Sequence, residues 1–211
     1  MTKLPCPSCG GEIQFRSNMT VFAVCSYCLS TVVRHDNSLE EIGKMSELLD
    51  DMSPFQIGTT GICEGRPFEL IGRVQISWED GFWNEWYAHF GTGKYGWLAE
   101  AQGELAFNFP CARKSSLPTV NEIEIGQEIK ISDKNFSVED IKKVTCVGSE
   151  GELPFKAIHG RQSVSVDLGN ENGEFACIDY SDDEGVSVYL GNFVEIDELK
   201  LKNLKEIEGW I

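Results

Sequence analysis

The sequence has no apolar run of the roughly 20 residues that a helix needs to cross a bilayer. Its first residues, MTKLPCPSCGG, also lack the apolar core of a secretory signal peptide. We therefore expect a cytoplasmic protein. Thiols stay reduced in that compartment, so regularly spaced cysteines indicate metal ligands before disulfides.

Basic residues are scarce in this chain. The 211 residues include 18 Lys and Arg against 34 Asp and Glu, which gives a formal net charge of −16. Nucleic-acid binding depends on basic side chains that neutralise phosphates, so this charge disfavours a general DNA or RNA binder. It suits a basic protein partner, a cationic small molecule or simple solubility.

Recognisable catalytic motifs are also missing. The sequence contains no G-x-S-x-G, no H-E-x-x-H and no glycine-rich phosphate-binding motif. It has three histidines, and four cysteines stand without a neighbour at metal-ligand spacing: Cys63, Cys111, Cys146 and Cys177. Buried free cysteine is common, so these four are interpreted as core residues. The sequence names no catalytic residue, and a non-enzymatic role is favoured.

The sequence does contain a cysteine cluster near its start. Cys6, Cys9, Cys25 and Cys28 form the spacing C-x2-C-x15-C-x2-C. Two C-x2-C turns can present four thiolates to one zinc ion, and this closed shell leaves no position for a substrate. The pattern predicts a zinc ribbon over residues 1–36 with one structural Zn²⁺. A four-thiolate iron site and four unrelated buried cysteines are the alternatives.

Residues 37–54, which follow the ribbon, carry a helical pattern. Ser38 and Glu41 have the spacing of a capping box, and Pro54 would stop a helix. Apolar residues recur along one stripe: Leu39, Ile42, Met45, Leu48, Leu49 and Met52. The pattern predicts an amphipathic connecting helix that packs on the following domain or docks on another protein.

The remaining chain contains similar segments that predict an internal repeat. Residues 57–70 resemble residues 125–138 at an offset of 68, and residues 98–107 resemble residues 168–177 at an offset of 70. A nearly constant offset over several segments indicates duplication of one unit.

The repeated segments alternate apolar and polar residues between turn signals, as short β-strands do. With the ribbon and the helix, they predict a mainly β protein in four parts. The two later parts are a first β half over residues 55–116 and a second β half over residues 117–211. Each half is expected to form a small β-barrel or β-sandwich, and the tandem, related halves are expected to pack together.

The most aromatic stretch is WEDGFWNEWYAHFGTGKYGWLAE, residues 78–100, which holds four of the five tryptophans. Thr92-Gly93 suits a tight turn, and a hairpin with an even-length loop there pairs Phe90 with Tyr95. This register directs the large aromatic side chains into the core. A loop of odd length would shift the register by one residue.

That register gives the other face of the hairpin a set of candidate site residues. Glu85 lies opposite Glu100, and Tyr87 and His89 lie on the same face. Two facing carboxylates beside a histidine can bind a metal or another cation, or transfer protons. The alternative is an ordinary solvated face of a sheet, where such residues have no function.

These segments together resemble a bacterial family known as domain of unknown function 4178, with its usual zinc-ribbon head. The resemblance rests on CPSCGGEIQF…AVCSYC, QIGTTGICEGRPFELIGRVQISW, WNEWYAHF, GWLAEAQGE, GELPF, FACIDYSDDEG and LGNFVEIDELKL. It covers nearly the whole chain and brings no catalytic residue with it. The resemblance implies a partner-dependent accessory role in a polyamine-related or membrane-stress system.

We therefore expect a cytoplasmic, non-enzymatic adaptor whose ribbon and β body dock a protein partner, in one version of this role at the membrane surface. A binding module or enzyme for a cationic small molecule such as a polyamine is the alternative. Nucleic-acid binding through the ribbon ranks last, because residues 1–36 are nearly neutral in charge.

Overall fold

A computed structural model of the chain describes residues 2–45, 48, 51–91, 93–112, 117–181 and 185–206. These residues form mostly β-structure, with two short 3-10 helices at Val120–Glu122 and Ile196–Leu199. No helix among them has the length and apolar character needed to cross a membrane. The prediction of a mainly β protein is confirmed.

Fifteen strands occur in the described part of the chain. The N-terminal five are β1 (Thr2–Pro5), β2 (Glu12–Phe15), β3 (Phe22–Val24), β4 (Ser30–His35) and β5 (Ser38–Lys44). The middle five are β6 (Thr60–Cys63), β7 (Arg66–Trp78), β8 (Gly81–His89), β9 (Tyr95–Ala101) and β10 (Glu104–Pro110). The last five are β11 (Glu128–Ile131), β12 (Lys134–Leu153), β13 (Gln162–Gly169), β14 (Glu174–Ser181) and β15 (Gly185–Phe193).

Eight of these strands close into an antiparallel barrel. The strand order is β7-β8-β9-β10-β15-β14-β13-β12, and β12 pairs again with β7. Closure leaves no unpaired edge in this ring. Strand β12, with 20 residues, is long enough to pair with β13 through its first part and with β7 through its second part.

The two predicted halves contribute four strands each to this one barrel. Strands β7 to β10 form one antiparallel run and β12 to β15 form the other, and the runs meet at two seams, β7–β12 and β10–β15. The prediction that each half forms its own barrel or sandwich is therefore wrong. The edge strands of each half pair with the edge strands of the other, so neither half closes on itself.

The hairpins that begin the two halves share a hydrogen-bond pattern. Gly58 N donates to Leu70 O at 2.8 Å, and Gly126 N donates to Val138 O at 2.8 Å. A register shift follows in each half, after Leu70 in the β7–β8 pairing and after Val138 in the β12–β13 pairing. These positions keep the offset of 68, although duplication of an ancestral unit stays a prediction.

The second alignment, of residues 98–107 with residues 168–177, joins strands that differ in position. Leu98 lies in β9, the third barrel strand of its half, whereas Leu168 lies in β13, the second barrel strand of its half. Both stretches contain a strand, a turn with glycine and a second strand, and this local likeness explains why the sequences align. Residues 98–107 and residues 168–177 therefore do not occupy equivalent positions in the two halves, and this part of the repeat prediction is wrong.

Residues 38–44 form strand β5 and do not begin the predicted helix. A two-residue turn pairs His35 with Ser38, and Asp36 in that turn has a positive φ of 48°. Ser38 Oγ donates to His35 O, so it does not cap a helix. The connecting-helix prediction over residues 37–54 is wrong for the described residues. Four residues of this segment lie outside the described part of the chain: Ser46, Glu47, Leu49 and Asp50.

The outer side of the barrel wall is covered by apolar cores. Outside β7 to β10, Trp86 and Phe107 pack in a core with Phe55. Outside β12 to β15, Ile178 packs in a core with Ile129 of β11. Because the cores lie on the outer side, the inner face of the wall does not have to be apolar for the barrel to fold.

The N-terminal strands pack against the barrel through a shared core. Phe22 and Val24 of β3 lie in the same apolar cluster as Val74 and Trp97 of the barrel. Strand β3 also pairs with the end of β12, where Ala23 lies opposite Glu152. The N-terminal part is thereby a continuation of the barrel sheet.

Glu152 fastens this contact from the barrel side. Its side chain is 3% exposed. It accepts hydrogen bonds from Arg16 N at 2.8 Å, from Arg16 Nη1 at 3.1 Å and from Thr20 Oγ1 at 3.2 Å. Burial raises the pKa of Glu152, and the hydrogen bonds from Arg16 oppose that rise.

Candidate functional site

Four cysteine sulfurs meet in the N-terminal part of the structure. The Sγ atoms of Cys6, Cys9, Cys25 and Cys28 lie within 4.8 Å of one another. The Cys6–Cys28 and Cys9–Cys25 distances are both 3.8 Å. A tetrahedral site with zinc–sulfur bonds of about 2.3 Å has sulfur–sulfur distances of about 3.8 Å. The donor atoms and their spacing are therefore compatible with Zn²⁺.

The same backbone turn presents each pair of cysteines. Gly10 N donates to Cys6 O, and Leu29 N donates to Cys25 O, both at 2.9 Å. Gly10 and Leu29 have positive φ values of 74° and 58°. The C-x2-C spacing predicts this arrangement, because the turn that places each pair of thiols involves only about six consecutive residues.

The hairpin of β8 and β9 differs by one residue from its predicted register. His89 pairs with Tyr95, and Asn84 pairs with Glu100. Five residues, an odd number, separate the His89–Tyr95 pair along the chain, and this shifts the register. The predicted pairing of Glu85 with Glu100 is wrong. The four candidate residues are consequently divided between the two faces of the sheet.

Glu100 lies on the outer face of the barrel wall. Its Oε2 atom accepts hydrogen bonds from Ser53 Oγ at 2.7 Å, Asn84 Nδ2 at 3.0 Å and Trp86 Nε1 at 3.1 Å. These bonds fasten the segment around residue 53 to the barrel. Glu100 is thus engaged in holding the fold together.

The other three candidates share the opposite face, but they have different surroundings. Tyr87 is fully buried, and its ring centroid lies 5.2 Å from that of Trp97. His89 lies opposite Glu69 of β7; burial lowers the pKa of His89, and the Glu69 carboxylate opposes this shift. Glu85 faces a cavity inside the barrel. These three residues therefore lie on an interior face of the barrel, and the alternative of an ordinary solvated face does not apply to them.

A cavity of about 60 Å³ occupies the inside of the barrel. Each of the eight barrel strands contributes to its lining: Val74, Glu85, Trp97, Asn108, Val144, Ser165, Cys177 and Tyr189. A wider cavity of about 710 Å³ shares five lining residues with it: Trp83, Glu85, Asn108, Ser165 and Cys177. The two spaces are therefore adjacent, and we call them the inner and outer lumen.

Glu85 is the carboxyl group at the junction of the two spaces. Desolvation raises the pKa of Glu85 to about 7, the Trp83 indole opposes the rise by donating to Oε1 at 3.0 Å, and nearby Asp179 and Asp167 add to it. No ion pair of the described residues includes Glu85. Glu85 therefore forms no ion pair among the described residues, although the charge of Arg161, which also lines the inner lumen, opposes the rise in its pKa.

The two basic groups of the lumen each lie beside an aspartate. Lys142 Nζ contacts the carboxylates of Asp140 and, at 3.3 Å, Asp167. Arg161 Nη2 lies 3.9 Å from Asp179 Oδ2. Burial raises the pKa of both Asp167 and Asp179, and their basic neighbours oppose it. Lys142 and Arg161, the two cationic side chains near Glu85, thus each lie closest to an aspartate.

Three polar atoms of residues that line the inner lumen have no hydrogen-bond partner among the described residues: Asn108 Oδ1, Trp97 Nε1 and Asp179 Oδ1. Asn108 and Trp97 are 6% and 3% exposed, so their atoms are removed from bulk water. A buried polar atom without a partner costs about 1–3 kcal/mol. Such atoms give the cavity hydrogen-bonding groups for water or another small polar molecule.

Sequence reasoning missed Asp167, Asp179 and Asn108 as site residues. Strand β13, QSVSVDLG, alternates apolar and polar residues, and the polar face of such a strand normally meets water. Barrel closure turns that face inward. The sequence does signal that strands in both halves alternate polar and apolar residues. Only the long-range strand pairing shows that the polar faces of these strands meet inside the barrel.

The four isolated cysteines do not form a common site. Cys63 and Cys146 are buried, as a core role requires, while Cys111 and Cys177 are partly buried. Burial raises the pKa of the Cys177 thiol well above its ordinary value, and the nearby carboxylates of Asp167 and Glu85 raise it further. A thiol held in its neutral form is a poor nucleophile.

Residues 56–196 match the protein family described as Domain of unknown function (DUF4178). The chain belongs to this family. The DUF4178 region contains strands β6 to β15, and so it includes the whole barrel and its lumen, whereas the four cysteines precede it. No curated protein and no solved structure matches the chain. The family resemblance drawn from the sequence is confirmed for residues 56–196, and the zinc-ribbon head lies outside this match.

Proposed function

We propose that the barrel binds a small organic cation, with Glu85 as the anionic contact. The observation that carries this proposal is a carboxyl group that faces the lumen and forms no ion pair among the described residues, while the nearby Arg161 lies beside Asp179. Burying an unpaired carboxylate is costly, and a bound cation relieves that cost.

The charges of the outer lumen favour a cation over an anion. Six carboxyl groups and one lysine line it: Asp80, Glu85, Glu104, Glu139, Asp140, Asp167 and Lys142. An organic cation is favoured over a metal ion, because in the described part of the chain the four cysteines are the group whose ligand atoms lie close enough together. The acidic lining would attract an amine and orient its charged end inward.

The dimensions of the lumen favour a ligand with a small charged end. The inner lumen of about 60 Å³ has the volume of roughly two water molecules in the liquid, at about 30 Å³ each. It suits an ammonium group with little substitution, which would donate to Glu85 and to Asn108 Oδ1. The aromatic rings of Trp83 and Trp97 add a favourable surface for a cation. The remainder of the ligand would lie in the outer lumen.

Calorimetry with amines tests the proposal. Methylammonium, ethanolamine and spermidine are titrated into the full chain at pH 8 in low and moderate salt. We expect at least one to bind in both salt conditions, and Glu85→Gln to weaken it by at least about 30-fold, since losing one member of a buried charge pair costs about 2–5 kcal/mol.

The matched control is Glu128→Gln, which changes an exposed carboxylate of β11. It should leave the affinity unchanged. The proposal would be overturned by an absence of heat with all three amines, by equal binding in the Glu85 variant, or by heat that disappears in moderate salt, as attraction to surface charge does.

We also propose that Cys6, Cys9, Cys25 and Cys28 hold one structural zinc ion. A shell of four thiolates has no open position for a substrate, and metal binding would supply folding energy to strands too short to bury a large core. Metal analysis of the chain purified under reducing conditions should find one zinc per chain. Iron at the same stoichiometry, or no bound metal, would refute the zinc assignment.

A further inference from the structure

A second concave surface, of about 690 Å³, lies outside the barrel wall. We call it the rim groove, and its lining consists of residues 51–55, 82–84, 100, 102–105 and 193–196. It contains the turn between β9 and β10 and the chain that leaves β15. Trp83, Glu104 and Phe193 line both the rim groove and the outer lumen, so the two lie next to each other.

Large apolar side chains are exposed along the rim groove. Met52 is 64% exposed, Phe82 50%, Phe193 56% and Ile196 38%. Exposed apolar residues that occur singly are ordinary, whereas several in one concave surface mark an interaction site. Phe193 is held by an edge-on contact with Phe175, with ring centroids 5.5 Å apart. The apolar surface is therefore partly preorganised.

The charges of the rim groove have one sign. Four carboxylates line it, and none of the described lining residues is Lys or Arg. Asp51 pairs with Arg73, and Glu100 is occupied by its three hydrogen bonds to the wall. Glu104 and Glu195 lie exposed at the edge of the groove. The groove thus joins an apolar floor to an acidic rim.

We infer that the rim groove docks a segment of a partner protein in which basic and large apolar side chains alternate. The apolar side chains would bury against Met52, Phe82 and Phe193, and the basic ones would pair with Glu104 and Glu195. Charge complementarity decides the class of partner, since an acidic or uncharged segment would leave the acidic rim unpaired. This inference stands on the outer surface and does not depend on a ligand in the lumen.

Fluorescence anisotropy with two labelled peptides tests the inference on the full chain. One peptide alternates Lys and Leu, and the other alternates Lys and Ser. We expect the Lys/Leu peptide to bind at least about tenfold more tightly, because burial of apolar anchors supplies most of the binding energy. The double variants Phe82→Ser with Phe193→Ser and Glu104→Lys with Glu195→Lys should each weaken it by at least about tenfold.

Matched double variants outside the groove serve as controls. Ile125 and Ile158 are 67% and 49% exposed, and replacing both by Ser removes similar apolar area. Glu128→Lys with Glu171→Lys makes the same change in charge. Both controls should leave the affinity within about twofold, the range of ordinary surface changes.

Three outcomes would overturn the inference. The controls would weaken binding as much as the groove variants if the peptide is attracted only by the overall charge of −16. The two peptides would bind equally if the apolar floor takes no part. Retention on neutral lipid vesicles, lost in the Phe82 and Phe193 variant, would assign these side chains to a membrane surface instead.

Discussion

Glu85 should make ligand binding depend on pH. Desolvation raises the pKa of Glu85 to about 7, and a cation prefers the ionised carboxylate, so binding should release a proton below that pH. The apparent affinity for the amine should fall by about tenfold for each pH unit below 7 and level off above it. Calorimetry over a range of pH measures this slope.

The same pKa fixes the sign of the effect on folding. Because the folded pKa of Glu85 lies above its unfolded value, ionisation opposes folding without ligand. This cost is absent below the unfolded pKa and grows as pH rises through about 7. The Glu85→Gln variant should bind weakly and show neither dependence. A slope that persists in this variant would assign the titration to another group.

Glu152 should matter for stability far more than an exposed glutamate does. Glu152→Ala removes one of the two ion pairs of Arg16 and leaves the Arg16 amide and the Thr20 hydroxyl without their buried acceptor, and we expect the free energy of unfolding to fall by about 3 kcal/mol. Glu12→Ala removes an exposed ion pair with Lys3 and should cost less than about 1 kcal/mol. Urea unfolding compares the two. Equal losses would show that Glu152 does not fasten the N-terminal part.

The two seams of the barrel each depend on a glycine. A Cβ on Gly72, in the β7–β12 seam, would lie 1.9 Å from Glu152 O, and one on Gly191, in the β10–β15 seam, would lie 2.0 Å from Phe107 O. The contacting atoms are backbone and cannot move aside alone. Gly72→Ala and Gly191→Ala should each lower the free energy of unfolding by roughly 1–3 kcal/mol or more.

Gly81→Ala is the control for the seam glycines. A Cβ on residue 81 would lie 3.2 Å from the ring of Trp78, a side chain at the end of its strand. The substitution should lower the free energy of unfolding by less than about 1 kcal/mol. Thermal unfolding monitored by circular dichroism ranks the three variants. A control that destabilises as much as the seam variants would contradict this account of barrel closure.

Elements were predictable where the decisive contacts are local. The C-x2-C turns place the four cysteines through bonds that span a few residues, and the spacing alone predicts them. Strand β5 was missed because its apolar residues also fit a helical stripe, and the deciding feature is the positive φ of Asp36 in the preceding turn. The β8–β9 register failed by one residue because loop length, which sets register, is ambiguous where Gly, Thr and Lys cluster.

The barrel as a whole could not be predicted in the same way. The alternation of β13 and β14 shows that each strand has a polar face, but the pairing of β7 with β12 and of β10 with β15 decides that these faces enclose Glu85. Both seams join strands that are distant in the sequence. The first four-stranded run ends at Pro110 and the second begins at Lys134.

Removal of the metal should affect the lumen as well as the N-terminal strands. Phe22 and Val24 share a core with Val74 and Trp97, and the latter two line the inner lumen. Chelation should disorder residues 1–36, change tryptophan fluorescence and weaken amine binding, and added zinc should restore all three. Zinc loss without any change in amine affinity would show that the N-terminal part is independent of the site.

The structure of the chain crystallised with spermidine, or with whichever tested amine binds most tightly, tests the central claim most directly. We predict an amine nitrogen in the inner lumen, within hydrogen-bond distance of the Glu85 carboxylate and of Asn108 Oδ1, with the rest of the ligand in the outer lumen. An amine found only on the outer surface, with Glu85 and Asn108 making no contact to it, would contradict the account.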